Sequence, residues 1–182
     1  QVRGMNVAIR NANDAISLSQ TAEGSLSKIN DMGQRMRELA VQSANATNSD
    51  SDRKNLDAEY QALAEEIKRN LAGASFNGTK LFAAAAALTF QVGANAATTD
   101  QITINTENLA GDAKFTAVIG NNAKPDGIAT VTAASAALGK LDDMLSLVNS
   151  KRAEFGATQN RFEAVIQTLQ VSAENQTAAR SR

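Results

Sequence analysis

The side chains of this 182-residue chain that could carry chemistry are carboxylates, lysines, hydroxyls and a single tyrosine, Tyr60. The chain has no His and no Cys. Without these residues, the usual zinc, copper and iron sites, the Ser-His-Asp triad and the Cys-His nucleophile pair cannot form. The sequence therefore predicts no catalytic residue, no metal site and no cofactor.

Two pairs of adjacent carboxylates, Glu65-Glu66 and Asp142-Asp143, are the arrangement closest to acid–base chemistry. Neighbouring side chains on a helix diverge by about 100°, so the two members of a pair cannot share one substrate. A solvated helix face accounts for both pairs without any catalytic role. Gly-rich phosphate-binding loops are also missing, and we predict that the protein is not an enzyme.

The charge and hydropathy of the chain narrow the classes of partner. The formal net charge of −1 provides no basic field that would hold nucleic acid or an anionic membrane. No stretch approaches the roughly 20 apolar residues of a membrane span, and the polar N-terminus does not resemble a secretory signal. We therefore expect neither nucleic acid nor a membrane as a partner.

The C-terminal part of the chain has a sustained 3.5-residue apolar repeat, which is typical of a helix that lies along other helices in a supercoil. Such a stretch is about 50 Å long at roughly 1.5 Å per residue. The repeat runs through Leu138, Leu141, Leu145, Val148, Arg152, Phe155, Gln159, Phe162, Ile166 and Leu169. We predict that its bundle core consists of Leu141, Leu145, Val148, Phe155, Phe162, Ile166 and Leu169.

Apolar residues also recur at helical spacing in the N-terminal part, which predicts helices at about 2–45 and 51–72. An Asn/Ser/Asp-rich turn separates these helices and supplies side-chain acceptors for the start of the second one. The C-terminal helix is predicted to begin near residue 130. Both ends of the chain interrupt a helical pattern without capping residues, so we expect a piece of a longer chain.

The middle of the chain has a different pattern. Two alternating segments between about 88 and 105 predict a β-hairpin, and Asn77-Gly78 predicts a turn before it. The segment 106–129 is predicted to be a loop-like variable connection, and the alanine run 83–87 has no assigned role.

Together these elements predict a mainly α fold, an elongated bundle of two N-terminal helices and one C-terminal helix. The β-hairpin and a short irregular region are placed at one end of the bundle. In this organisation residues 1–105 form the N-terminal part of a rod domain and residues 130–182 form its C-terminal helix.

Five blocks of the sequence resemble bacterial flagellin, and they occur in that family's order. They are RNANDAISLSQTAEG at 10–24, QRMRELAVQSAN at 34–45, FNGTKL at 76–81, FQVGAN at 90–95 and FGATQNRF at 155–162. The resemblance covers about residues 1–105 and 130–182. In flagellins these parts form the conserved rod below variable outer domains, and the resemblance implies that the terminal helices of the family lie outside this sequence.

The resemblance implies a structural subunit that polymerises into the flagellar filament for motility. It implies identical flagellin subunits and the flagellar export machinery as partners, and an extracellular location in the bacterial flagellum. It also implies recognition by the Toll-like receptor with which a host senses flagellin.

The resemblance implies that three residues of this sequence correspond to residues with which the family binds the receptor. Arg35 and Leu39 are expected to supply an arginine anchor and an apolar knob from one face of the first helix. Glu59 is expected to supply a carboxylate from the second helix. It reaches the face of Arg35 only if the second helix folds back antiparallel to the first.

Two other classes of protein share parts of this pattern. Another helical secreted assembly protein, such as a secretion-needle tip or a phage tail component, would give the same bundle, and only the five blocks favour flagellin over it. A cytoplasmic signalling rod of the chemoreceptor kind needs a helical hairpin that is continuous through its tip. The β-hairpin predicted at 88–105 argues against that class.

Overall fold

The computed structural model describes residues 1–120 and 124–182, and in them long helices dominate. The helices are α1 (Val2–Ala44), α2 (Asp50–Gly73), α3 (Ala113–Ile119) and α4 (Val131–Ser181). The strands are β1 (Ser75–Phe76), β2 (Thr79–Lys80), β3 (Ala86–Gln91) and β4 (Gln101–Thr106). The predicted mainly α fold with three long helices and a β-hairpin is confirmed.

Helices α1 and α4 lie antiparallel and form the length of the rod. Glu23 of α1 pairs with Arg152 of α4 at 2.8 Å, and Arg37 pairs with Asp142 at 2.7 Å, so residue numbers rise along one helix as they fall along the other. At 43 and 51 residues the helices span roughly 65 and 75 Å. Small buried side chains let them approach closely: a Cβ added at Gly33 would lie 2.8 Å from a methyl carbon of Leu145.

Helix α2 starts at a capping box and runs back along α1. The backbone N–H of Asp52 donates to the Ser49 hydroxyl, and the backbone N–H of Ser49 donates to the Asp52 carboxylate. Hydrogen bonds from the Ser49 hydroxyl and backbone N–H hold the pKa of Asp52 below its ordinary value. The direction of α2 follows from Glu59, which pairs with Arg35 of α1 at 2.8 Å.

The turn between α1 and α2 is held by Arg53, whose side chain is only 8% exposed. Its guanidinium donates to the backbone carbonyl oxygens of Ser43 at 3.1 Å, Asn45 at 3.0 Å and Asn48 at 2.7 Å. These carbonyls lie at the end of α1 and in the turn, where they have no partner within a helix. One side chain of α2 thus fixes how the chain leaves α1.

Two antiparallel hairpins follow α2. In the first, Asn77 and Gly78 join β1 to β2 with φ of +47° and +80°, a left-handed geometry that suits an Asn-Gly turn. In the second, β3 pairs with β4 from Ala86↔Thr106 to Gln91↔Gln101. The alternation in the sequence predicts the second hairpin, whereas Asn77-Gly78 predicts only a turn, because two-residue strands are too short to show alternation.

The prediction of a loop-like connection at 106–129 is wrong for α3. The Asp112 carboxylate caps this helix by accepting from the backbone N–H of Lys114 at 2.8 Å. The apolar residues Phe115, Val118 and Ile119 recur at helical spacing and are buried in the core. A helix of seven residues leaves too few repeats to stand out in the sequence. The part of the predicted connection at 121–123 lies outside the described residues.

Of the seven residues predicted for the bundle core, five are buried and two are partly exposed. Leu141, Leu145, Val148, Phe155 and Phe162 are buried. Ile166 is partly buried against the core. Leu169 is half-buried, beside Gln1 and Met5 in the wall of an open groove. Here α1 has reached its first turn, so little remains to cover that part of α4.

Met144 is a core residue that the regular repeat missed. Its side chain is fully buried, and its terminal methyl would lie 3.1 Å from a Cβ added at Gly33. The absent side chain at Gly33 leaves room for Met144 beside Leu145, which widens the buried face of α4 beyond the predicted seam.

Candidate recognition surface

Arg35 lies at the boundary between α1 and α2 and contacts two carboxylates. Its Nε donates to Oε1 of Glu59 at 2.8 Å, and its Nη1 donates to Oε2 of Glu38 at 3.0 Å. The hydrogen bond with Glu59, followed by that with Glu38, raises the pKa of Arg35. The Arg35 side chain is 49% exposed, so the cluster is a surface feature that two helices position.

Arg37 makes the corresponding contact with α4. Its Nε donates to Oδ1 of Asp142 at 2.7 Å, and this hydrogen bond is the main cause of the raised pKa of Arg37. Arg35 and Arg37, two residues apart on α1, therefore contact different helices. Arg35 contacts α2 and Arg37 contacts α4. Both contacts are half exposed, so they contribute little stability on their own, but they define the edges of the surface between them.

A shallow depression of about 370 Å³ lies along this exposed side of α1. We call its lining the outer face of α1; it consists of Gln34, Arg37, Glu38, Val41 and Gln42. The sequence patterns assign no role to Val41, whose side chain is 50% exposed. The sequence does contain a signal for the exposure of Val41, because this residue falls outside the helical spacing of the buried residues Met36, Leu39 and Ala40.

The structure brings together two of the three residues that the resemblance implied for receptor binding. Arg35 and Glu59 form an ion pair because α2 folds back antiparallel to α1. Leu39 is 1% exposed and belongs to the hydrophobic core, so its expected role as a surface knob needs correction. A four-residue step rotates the side chain by about 40° around α1, which is enough to move Leu39 from the exposed edge to the core.

Metal-binding clusters and membrane-spanning helices are both absent from the described residues. Across 1–120 and 124–182, acidic residues do not cluster in a way that could hold a metal ion. Within the same ranges, no helix has both the length and the apolar character that crossing a membrane requires.

Comparisons with known proteins agree with the resemblance seen in the sequence. The family model "Bacterial flagellin N-terminal helical region" matches residues 1–87. A flagellin of Halalkalibacterium halodurans is 40% identical over 183 residues, which cover 100% of this chain and 65% of that protein. The chain therefore spans slightly less than two thirds of the length of this relative.

A second relative aligns with the whole chain, and a solved structure aligns with most of it. A flagellin of Bacillus subtilis is 37% identical over 215 residues, which cover 100% of this chain and 68% of that protein. The crystal structure of Bacillus cereus flagellin superposes with a TM-score of 0.73 at 28% identity and covers 94% of both chains. In sequence and in fold, the chain belongs to the flagellin family.

Proposed function

We propose that this chain is the rod-like part of a subunit of the bacterial flagellar filament, outside the cell. The observation that carries the proposal is the alignment with Bacillus subtilis flagellin, which extends over the whole chain and includes both long helices. Long exposed polar faces on α1 and α4 suit many modest contacts with identical subunits. Contacts of this kind that do not close on themselves build an open helical polymer.

The proposal includes two steps that depend on the complete subunit. Export through the flagellar export machinery would bring it to the growing filament, and polymerisation would serve swimming motility. Both proposals rest on membership of the flagellin family. The alternative of a secretion-needle tip or phage tail component would require the rod to assemble in a different polymer.

A chimeric flagellin tests filament assembly directly. The part of Bacillus subtilis flagellin that aligns with this chain is replaced by the 182 residues, and the chimera is expressed in cells that lack their own flagellin. We expect filaments in electron micrographs and swimming in soft agar, because the rod would present its own subunit contacts in every copy.

Val148→Pro in the same chimera serves as the control. Proline at this buried position would break α4, and filaments should be lost. The filament proposal is wrong if the unmodified chimera appears in the medium as a folded protein and yet forms no filaments.

We further propose that the flagellin-sensing Toll-like receptor of a host binds this chain at Arg35 and Glu59. Support comes from their position on the surface, where the ion pair holds both side chains in one geometry before a partner arrives. Ordering these side chains in advance reduces the entropy that binding would otherwise cost. Leu39 has no part in this proposal, because it is buried.

A binding assay with the receptor ectodomain tests this second proposal. We expect the double variant Arg35→Ala, Glu59→Ala to bind at least tenfold more weakly than the unmodified chain. The matched control is Arg69→Ala, Glu66→Ala, which removes another exposed ion pair from α2 and should leave the affinity unchanged. Equal affinity of the Arg35, Glu59 variant and the unmodified chain would contradict the proposal.

A further inference from the structure

A cavity of about 200 Å³ lies between α2 and the first turns of α4. On the α4 side its wall consists of Ala133, Ala136 and Ala137, whose three- and four-residue spacing places these small side chains on one face of the helix. Tyr60 of α2 also lines the cavity. Ala136 is exposed, so small molecules can enter from that side. An apolar protein cavity of about 150 Å³ can hold benzene, so this one has room for more than a single water molecule.

Tyr60 brings a buried polar group without a partner to this cavity. Its side chain is 1% exposed, and within residues 1–120 and 124–182 its hydroxyl forms no hydrogen bond. Burial, followed by the charges of Asp57 and Asp126, raises the pKa of Tyr60 to about 12. The hydroxyl therefore keeps its proton at neutral pH. Buried tyrosine hydroxyls usually have a hydrogen-bond partner, so this donor is available to a molecule in the cavity.

The charges around the Tyr60 hydroxyl determine which acceptor suits it. Asp126 and Lys140 both line the cavity and pair with each other at 2.7 Å. Even so, Asp57 and Asp126 act on Tyr60 in the direction that disfavours a negative charge on its oxygen. The same charges disfavour a carboxylate or phosphate at this place, whereas a neutral oxygen can accept the hydrogen bond.

We propose that this cavity binds a small neutral molecule that has an apolar body and an ether or carbonyl oxygen. The apolar body packs on the three alanines of α4, and the oxygen accepts the hydrogen bond of the Tyr60 hydroxyl. The site is separate from the surface proposed for receptor recognition, because neither Arg35 nor Glu59 lines the cavity.

Tetrahydropyran, a six-membered cyclic ether, is the probe that tests this inference. When it is added to the isotope-labelled chain, we expect saturable shifts of the amide NMR signals of Ala133, Ala136 and Ala137. Cyclohexane has the same shape without the oxygen, and it should bind about fivefold more weakly, the factor that corresponds to one net hydrogen bond. Cyclohexanecarboxylate should give no saturable shift, because Asp57 and Asp126 repel it.

Three variants of the full chain locate the binding. Tyr60→Phe keeps the ring and removes the hydroxyl, so it should keep its melting temperature and bind the ether and cyclohexane equally well. Ala136→Leu places a larger side chain at the exposed side of the cavity and should abolish binding. Ala153→Leu makes the same change at an exposed position of α4 that does not line the cavity, and it should bind as the unmodified chain does.

The results that would overturn this inference are distinct from those that bear on the filament and the receptor. A titration of the unmodified chain with tetrahydropyran that gives no saturable shift means that the cavity holds only water. An unchanged preference for the ether in Tyr60→Phe contradicts the role of the hydroxyl. Tighter binding of cyclohexanecarboxylate than of tetrahydropyran would identify an anion site and refute the proposed ligand class.

Discussion

Replacing Phe162 by Ala should lower the free energy of unfolding by about 3 to 5 kcal/mol. Phe162 is fully buried on α4, and its ring meets that of Phe90 edge to face, with centroids 5.7 Å apart and planes at 79°. The substitution removes this aromatic pair and leaves a cavity between α4 and β3. Urea denaturation followed by far-ultraviolet circular dichroism measures the change.

Val171→Ala is the matched control for Phe162→Ala. It also shortens an apolar side chain of α4, but at a position that is 59% exposed, so its unfolding midpoint should stay close to that of the unmodified chain. Phe155→Ala should be strongly destabilising as well, because Phe155 is 7% exposed and packs edge to face on Phe82. An unchanged midpoint for Phe162→Ala would mean that this part of α4 is exposed, awaiting a neighbouring subunit.

Replacing Arg53 by Ala is the second change with a large expected effect, a loss of about 3 kcal/mol of stability. The substitution leaves the carbonyl oxygens of Ser43, Asn45 and Asn48 without the charged donor that now serves all three. Differential scanning calorimetry should show a lower melting temperature. Amide hydrogen exchange should show faster exchange in the first turn of α2 and the last turn of α1.

Arg53→Lys tests whether the geometry of the guanidinium matters. Lysine keeps the positive charge but cannot direct donors at three carbonyl groups from one planar head, so we expect a loss of stability between those of Arg53→Ala and the unmodified chain. Arg69→Ala, at an exposed arginine of the same helix, should leave the melting temperature unchanged. Arg53→Lys with full stability would show that the charge alone holds the turn.

Much of the fold can be predicted from local patterns. The long helices follow from apolar residues at helical spacing, and the start of α2 follows from the Ser49 and Asp52 side chains that cap it. The β3–β4 hairpin follows from its alternation, since Ile102 and Ile104 are buried while Gln101 and Thr103 are exposed. Spacing and capping depend on a few neighbours in the chain, so they remain visible without the rest of the fold.

Short elements had too little local signal. Helix α3 has one buried triplet, and the β1–β2 hairpin has two residues in each strand, so neither shows a full period of its pattern. Helix α3 and the β1–β2 hairpin are instead stabilised by contacts with the rest of the fold. Phe115 and its buried neighbours on α3 form part of the common core with α2 and α4, and that packing is a property of the assembled rod.

By itself the sequence determined the class of the protein and the long helices, whereas the ion pair between Arg35 and Glu59 appeared only once α2 was seen to run back along α1. Only the tertiary structure decided which residues of α1 are exposed. Leu39 and Val41 are two positions apart and both apolar, yet Leu39 lies in the hydrophobic core and Val41 is half exposed. Likewise, α4 buries Met144 where Gly33 leaves space and exposes part of Leu169 where α1 begins. Burial depends on what the other helices place against each side chain, and a helical repeat shows only which residues share a face.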